Sequence, residues 1–241
     1  MIKNNNPLIL SIESSASTCG VAVSQSDSLL IEYNIFKSNQ HDKMLAVLVE
    51  RVLSDLELNI NNIDSLAVSA GPGSFTGLRI GAALAKGICF ENKPKLIAVP
   101  TLEAIAFSLK NIAKINSDIQ ILALTKSHKN FYYYQIFDLE AKPINDIIFC
   151  EFEKIQIDRI NETFVCGNFD VEEILNLKGK IQKNDDASLF NYYKGIFPSY
   201  ISKLAYKMYN EEKFEKSEDF SPIYVQDFQL KTNKSNENKE Y

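Results

Sequence analysis

Tryptophan is absent from this chain, histidine occurs only at His41 and His128, and arginine only at Arg51, Arg79 and Arg159. The two histidines lie far apart, no HExxH, CxxC or GxSxG spacing occurs, and nothing local supports Ser/His/Asp chemistry. His41 reads as a helix-start residue. With few arginines and a formal net charge of −5, the chain lacks the electropositive field that steers proteins to nucleic acid. If it works on RNA, something else must hold most of that RNA. Cys19, Cys89, Cys150 and Cys166 show neither metal-ligand spacing nor a paired pattern, so reduced, partly buried thiols of a cytoplasmic protein are expected. No apolar run reaches about 18 residues without a charge, which argues against a membrane span. Met1–Pro7 has neither the basic end nor the apolar core of a signal peptide.

What is present is apolar content, 45% of the residues, enough to fill real cores in one large or two modest domains. The chain turns on Ser69–Arg79, a Gly-rich stretch between an apolar segment, Ile63–Ser69, that reads as a buried strand and an Ala-rich segment, Gly77–Phe90, that reads as a helix. Such a turn aims backbone N–H groups at one spot, and the helix dipole adds positive potential there. Pro72 fixes φ, Gly71 and Gly73 allow positive φ, and Thr76 is expected to cap the helix. No Gly-Lys-Ser/Thr follows, so this is not a Walker loop. Two readings stand side by side: a tight, well-capped turn, or an anion site.

Before this turn, Leu8–Glu13, Gly20–Ser24 and Leu29–Phe36 read as consecutive strands. Glu13, Ser14 and Ser15 fall at the first strand's C-terminal end, where α/β sheets place ligands. Glu13 is either a solvated strand-end acid or a ligand group. Asp42–Leu58 reads as a helix whose stripe of Leu45, Leu48, Val49, Val52, Leu53 and Leu56 faces a core. Val47 falls opposite that stripe, flanked by Met44 and Arg51, and a one-faced helix does not need it. On the helix after the Gly-rich turn, Arg79 and Lys86 share one narrow edge, while Ile80, Ala83 and Gly87 oppose Leu78, Ala85 and Cys89. A helix apolar nearly all round is buried on more than one side, by a thick core or by a partner. Leu96–Val99 then reads as a strand and Leu102–Ile115 as a helix, capped by Pro100–Thr101.

Ile119–Thr125 and Phe131–Asp138 form an expected strand pair joined by a basic turn, Lys126–Asn130, next to three tyrosines. Ile144–Phe152, Phe164–Cys166 and Ile181 mark further short strands, and Val171–Leu175 and Ser199–Tyr209 further helices. Pro222–Val225 is an apolar start that can dock. Lys231–Tyr241 is polar and expected to be disordered.

Leu10–Val23, the His41 helix, the run Gly71–Gly81 and Val99–Pro100–Thr101–Leu102 come in the order and spacing of the TsaB (YeaZ) family, over roughly residues 8–105. Val165–Asn168 and Pro222–Val225 resemble later family positions. The resemblance implies an α/β fold of the actin/Hsp70/sugar-kinase class, two ribonuclease-H-like domains with a cleft between. Residues 1–105 would form the first and 106–230 a smaller second, before a tail at 231–241. It also implies a non-catalytic scaffold that pairs with the paralogous catalytic subunit TsaD, with the ATPase TsaE recruited to the pair. The complex places N6-threonylcarbamoyladenosine at position 37 of tRNA. Alone, such a subunit forms a homodimer; it meets tRNA only through the complex and stays off membranes. The pairing face would include Met44, Val47, Arg51, Ile80, Ala83 and Gly87. No catalytic residue or metal ligand is implied, and no cofactor is required. Glu13, Ser14, Gly71, Gly73, Ser74 and Thr76 would be a vestigial nucleotide or phosphate loop for ATP or ADP with Mg²⁺.

Two departures bear on this. Glu13 stands where the family usually has Asp, a feature closer to TsaD. Yet Pro100, Thr101, Leu102, Glu103 and Ala104 hold none of the metal-binding histidines that TsaD carries there. Thr125, Lys126 and Ser127 replace a usual Asp-Ala-Arg. The competing reading is an ATP-dependent phosphotransferase or ATPase of the same fold, with Glu13 and Gly71–Gly77 as its metal and phosphate groups. For a third, a peptidase, no nucleophile–base set is present.

Overall fold

The computed structural model describes residues 6–36, 41–90, 94–113, 119–157, 163–170, 172–173 and 192–224. The helix expected at Val171–Leu175 falls mostly outside these residues, and the strand at Ile181 and the tail Lys231–Tyr241 fall wholly outside.

The first half is a five-stranded sheet in the order β3-β2-β1-β4-β5. Its strands are β1 (Leu8–Glu13), β2 (Cys19–Gln25), β3 (Ser28–Ile35), β4 (Ser65–Gly71) and β5 (Lys95–Pro100). The first three form an antiparallel meander, and β4 and β5 run parallel to β1. The second sheet, β10-β9-β6-β7-β8, repeats that plan. Here β6 (Gln120–Lys126), β7 (Phe131–Phe137) and β8 (Ile148–Glu151) are the meander, with β9 (Thr163–Asn168) and β10 (Tyr192–Lys194) parallel to β6. One topology used twice is the actin/Hsp70/sugar-kinase arrangement of two ribonuclease-H-like units.

Helices α1 (His41–Asp55) and α2 (Phe75–Ile88) cover one face of the first sheet. Strand alternation sends Leu10 and Ile12 of β1 into the core beneath them, with Leu45, Leu48, Val49 and Val52 of α1 and Ala82, Ala85 and Cys89 of α2. Ile9 points the other way, into a core shared with the second sheet and built around α3 (Thr101–Ala113) and α4 (Pro198–Asn210). The boundary expected at 105/106 thus falls inside a helix that packs on both halves. Leu122, Leu124, Tyr132, Tyr134, Phe152 and Phe169 fill a third core on the outer face of the second sheet.

Several element ends differ from expectation for identifiable reasons. α1 stops at Asp55 because Glu57 adopts a left-handed φ of 55° and the Leu58 amide donates back to Leu53 O at 2.8 Å. That is a Schellman end built on glutamate instead of glycine. α4 ends the same way at Glu212, φ 57°, with Lys213 N donating to Met208 O. α2 begins two residues early, because its cap is Ser74 and not Thr76: Ser74 Oγ accepts from the Gly77 amide at 3.3 Å. β4 begins at Ser65, since Ile63 closes a short 3-10 turn and Asp64 N donates to Leu8 O. The strand expected at Ile144–Phe152 covers only Ile148–Glu151, followed by a 3-10 turn at Phe152–Lys154. β10 was not foreseen.

Candidate functional site

The halves meet across a cleft of about 990 Å³. The first half lines it with the Ala16–Thr18 turn between β1 and β2, Phe36, Asp42, Ile80 and the start of α2 at Ser74, Thr76 and Gly77. The second half lines it with Lys126 and Ser127, Asn168–Asp170 and Lys194–Phe197. These positions are the C-terminal ends of β6, β9 and β10, the edge at which parallel strands present ligand groups. Lys126 is committed to carboxylates, bonding to Asp170 and lying 3.6 Å from Glu173. Thr125 is buried beneath, its hydroxyl without a partner.

Of the six residues expected to form a nucleotide or phosphate loop, Ser74 and Thr76 reach this cleft, and Glu13, Ser14, Gly71 and Gly73 are not among its lining residues. The glycines serve a different contact. A Cβ on Gly73 would lie 2.3 Å from Ser15 O, and one on Gly77 would lie 2.1 Å from Ser14 O. The Gly-rich turn is therefore pressed onto the β1–β2 turn, and Ser74 N donates to Ser15 O at 2.6 Å to lock the two together. The Ser74 and Gly77 amides are thus taken by protein acceptors, Ser15 O and Ser74 Oγ.

Glu13 is neither the solvated acid nor an accessible ligand. It is 0% exposed. Ser15 donates to its Oε1 twice, from the amide at 2.6 Å and from the hydroxyl at 2.5 Å, while Oε2 has no partner. Burial pushes its carboxyl up to about 7, against the opposing pull of the bonds from Ser15 and Ser69. A buried, half-neutral carboxyl does not fit the Mg²⁺-binding role once considered for it. The hydroxyl residues beside it, Ser15 and Ser69, are both buried. Small side chains let α4 approach closely here, with Ser202 Oγ 2.5 Å from Ser24 Oγ and Pro198 2.8 Å from where a Gly20 Cβ would stand.

Away from the cleft, α1 and α2 present an outer face. Val47 is 49% exposed, as its place opposite the buried stripe requires. Ala83 and Gly87 are exposed on α2, and Met44 is half-buried, as is Ile80, which also lines the cleft. Arg51 is exposed and held by Asp55 at 2.8 Å; the Tyr33 hydroxyl on β3 bonds the same carboxylate. Gly87 stands apart from the other helical glycines, because a Cβ there would meet nothing within 4 Å. At the β6–β7 turn, His128 stacks on Phe131 and Phe131 on Phe149, each pair 5.2 Å apart, so these rings are spent largely on one another. All four cysteines are free thiols. No described helix is long and apolar enough to cross a membrane.

Sequence reasoning missed the cleft contributions of Asn168, Lys194 and Phe197. It also missed the contact of Phe75, under Arg79, with Tyr224 of the C-terminal segment. No spacing rule joins these residues; only the returning chain does.

The family model for TsaD, tRNA N6-adenosine threonylcarbamoyltransferase, matches residues 36–158. The TsaB protein of Bacillus subtilis (strain 168) is 25% identical over 180 residues, 72% of this chain and 79% of that protein. The Haemophilus influenzae TsaB is 32% identical over 101 residues, 42% of each chain. The tRNA N6-adenosine threonylcarbamoyltransferase of Ehrlichia canis is 29% identical over 145 residues, 54% of this chain and 41% of that enzyme. The chain therefore spans less than half the length of these last two relatives. YeaZ from Pseudomonas aeruginosa superimposes with a TM-score of 0.70 at 19% identity, covering 91% of this chain and all of that one.

Proposed function

The chain belongs to the TsaD family, and we propose that within it this is the TsaB-type subunit, a non-catalytic scaffold that pairs with a TsaD-type catalytic subunit. Its place in tRNA threonylcarbamoyladenosine biosynthesis follows from its TsaB relatives. The pairing face is the outer surface of α1 and α2, with Met44, Val47, Arg51, Ile80, Ala83 and Gly87. Without a catalytic partner the same face joins two copies of this chain. A TsaE-type ATPase joins the pair, tRNA is met through the assembled complex, and this subunit needs no cofactor of its own.

The supporting observation is the bare strip at Val47, Ala83 and Gly87. A valine half open to water contributes little to its own fold, and a glycine inside a helix, here in the last turn of α2, costs up to about 1 kcal/mol of helix propensity. Nothing within 4 Å of Gly87 calls for that cost in the single chain. A helix approaching from another subunit would account for both.

Val47→Glu is the test. A carboxylate buried without a counter-charge costs several kcal/mol, and 1.4 kcal/mol is already tenfold in affinity. Light scattering should show loss of self-association, and titration against the TsaD subunit should show affinity down at least tenfold. The thermal midpoint should not move. Wild-type association would remove this face from the interface, and unfolding would place Val47 in the core.

The competing reading, a Mg-ATP phosphotransferase, draws on Ser74, Thr76 and Gly77 opening into the cleft at a helix N-terminus. Micromolar Mg-ATP binding with turnover by the isolated chain would favour it over the scaffold.

A further inference from the structure

We infer that the pairing face continues beyond α1 and α2, across the Phe75–Arg79 edge of α2 onto the C-terminal strap Ser221–Tyr224, and that a second copy of this chain covers it, its Glu50 facing Arg79. This extends the pairing proposed above and rests on it.

The strap is held firmly on its inner side. Phe220 is 2% exposed and fills the core beneath α1 and α2. The Ile223 amide donates to Ala70 O at 2.7 Å. Gly71, with a φ of 103°, lets the strap pass: its Cβ would stand 3.0 Å from Ile223 O. Lys86 Nζ donates to Glu218 O at 3.3 Å, tying the preceding turn to the same edge of α2. Backbone contacts fasten this segment, yet it turns apolar side chains outward. Ile223 is 39% exposed and Tyr224 42%. Nothing in the anchoring needs an isoleucine and a tyrosine on the outside.

Beside these side chains, Phe75 joins Tyr224 to a cation. The Tyr224 ring lies 5.2 Å from the Phe75 ring, and the Arg79 guanidinium lies 3.8 Å over that same Phe75 ring. Stacking on an aromatic face holds the guanidinium flat and leaves its N–H fork free to grip a carboxylate. Arg79 is exposed, and no carboxylate of a described residue pairs with it. An aromatic pair with an arginine is the composition of a binding hot spot. The patch is continuous with the bare strip, because Arg79 and Ala83 are one turn apart on α2.

Charge complementarity selects the occupant. Glu50 is exposed on the outer side of α1 and has no ion-pair partner among the described residues. An unpaired cation on one helix and an unpaired carboxylate on its neighbour, on a single face, are what a two-fold contact needs: each copy's Arg79 meets the other's Glu50. Burying Arg79 without such a partner would work against association.

A charge swap on the full chain tests this, read as the self-association constant by light scattering across a dilution series, with thermal melting alongside. Arg79→Glu and Glu50→Arg should each weaken self-association at least tenfold with melting unchanged, and the double variant should recover most of the loss. Tyr224→Ala should weaken it severalfold. Wild-type association in both charge variants, or a double variant no better than the singles, overturns the assignment. So does weakened binding to a TsaD subunit with self-association intact, which would give the patch to the paralogue. Val47→Glu separates the two levels. If it abolishes association while the Arg79, Glu50 and Tyr224 variants do not, the extension fails and the pairing reading stands. If none has an effect, both fail.

Discussion

Glu13 keeps its proton where an exposed glutamate has lost it. Its folded pKa of about 7 lies above the value of 4.5 it takes in water, so the folded chain binds the proton more tightly than the unfolded one. Between those two values the unfolded chain ionises first, and stability falls as pH rises; above about 7 the full penalty is in place. A gap of this size corresponds to about 3 kcal/mol. Glu13→Gln keeps an acceptor for Ser15 and removes the titration. Against wild type, it should be nearly equal in stability at pH 4 and more stable by about 3 kcal/mol at pH 8, in urea melts at each pH. Under the scaffold reading, the variant should also leave the modification rate of a reconstituted complex nearly unchanged. A loss of orders of magnitude with assembly intact would mean that Glu13 handles a ligand.

At the scale of elements, the glycines of α2 divide into two kinds. Gly77 is there because Ser14 O occupies the place of a Cβ, so Gly77→Ala should destabilise the monomer by roughly 2–3 kcal/mol. Gly87 has open space, so Gly87→Ala should raise monomer stability by about 0.5–1 kcal/mol and still weaken pairing, because a methyl then holds the partner helix away. Opposite signs in melting and association are the signature to look for. The amphipathic stripe of α1, the strand–turn–helix at Ser69–Arg79 and the succession of the first five strands along the chain were legible in the residues, since periodicity reports burial directly. The ends were not. Ser74 and Thr76 are both plausible caps, and what selects Ser74 is its amide's bond to Ser15, far away in sequence. Glutamates in left-handed turns close α1 and α4 where glycine is the usual signal. The burial of Glu13 was equally hidden, because a strand-end acid before two serines resembles any solvated turn until α4 is laid across it.

For the whole molecule, charge decides what the isolated chain can hold. At −5 overall, with Lys126 already neutralised by Asp170, it should bind tRNA weakly or not at all when alone. Filter binding across a salt series checks this; a tight complex that weakens steeply with salt would overturn it. The two halves repeat one sheet topology, yet they share the core around α3 and α4, so neither half's hydrophobic surface is complete without the other. Heat or urea should therefore unfold both together.

The repeat is also unequal. Among the described residues only the first sheet carries the helix pair α1 and α2; the β8–β9 connection holds a 3-10 turn in place of the first of them. A chain with a docking face on each half would have a valency of two and could string into filaments. Under the proposed pairing through α1 and α2, a single such face is saturated by one neighbour, and growth would stop at the pair.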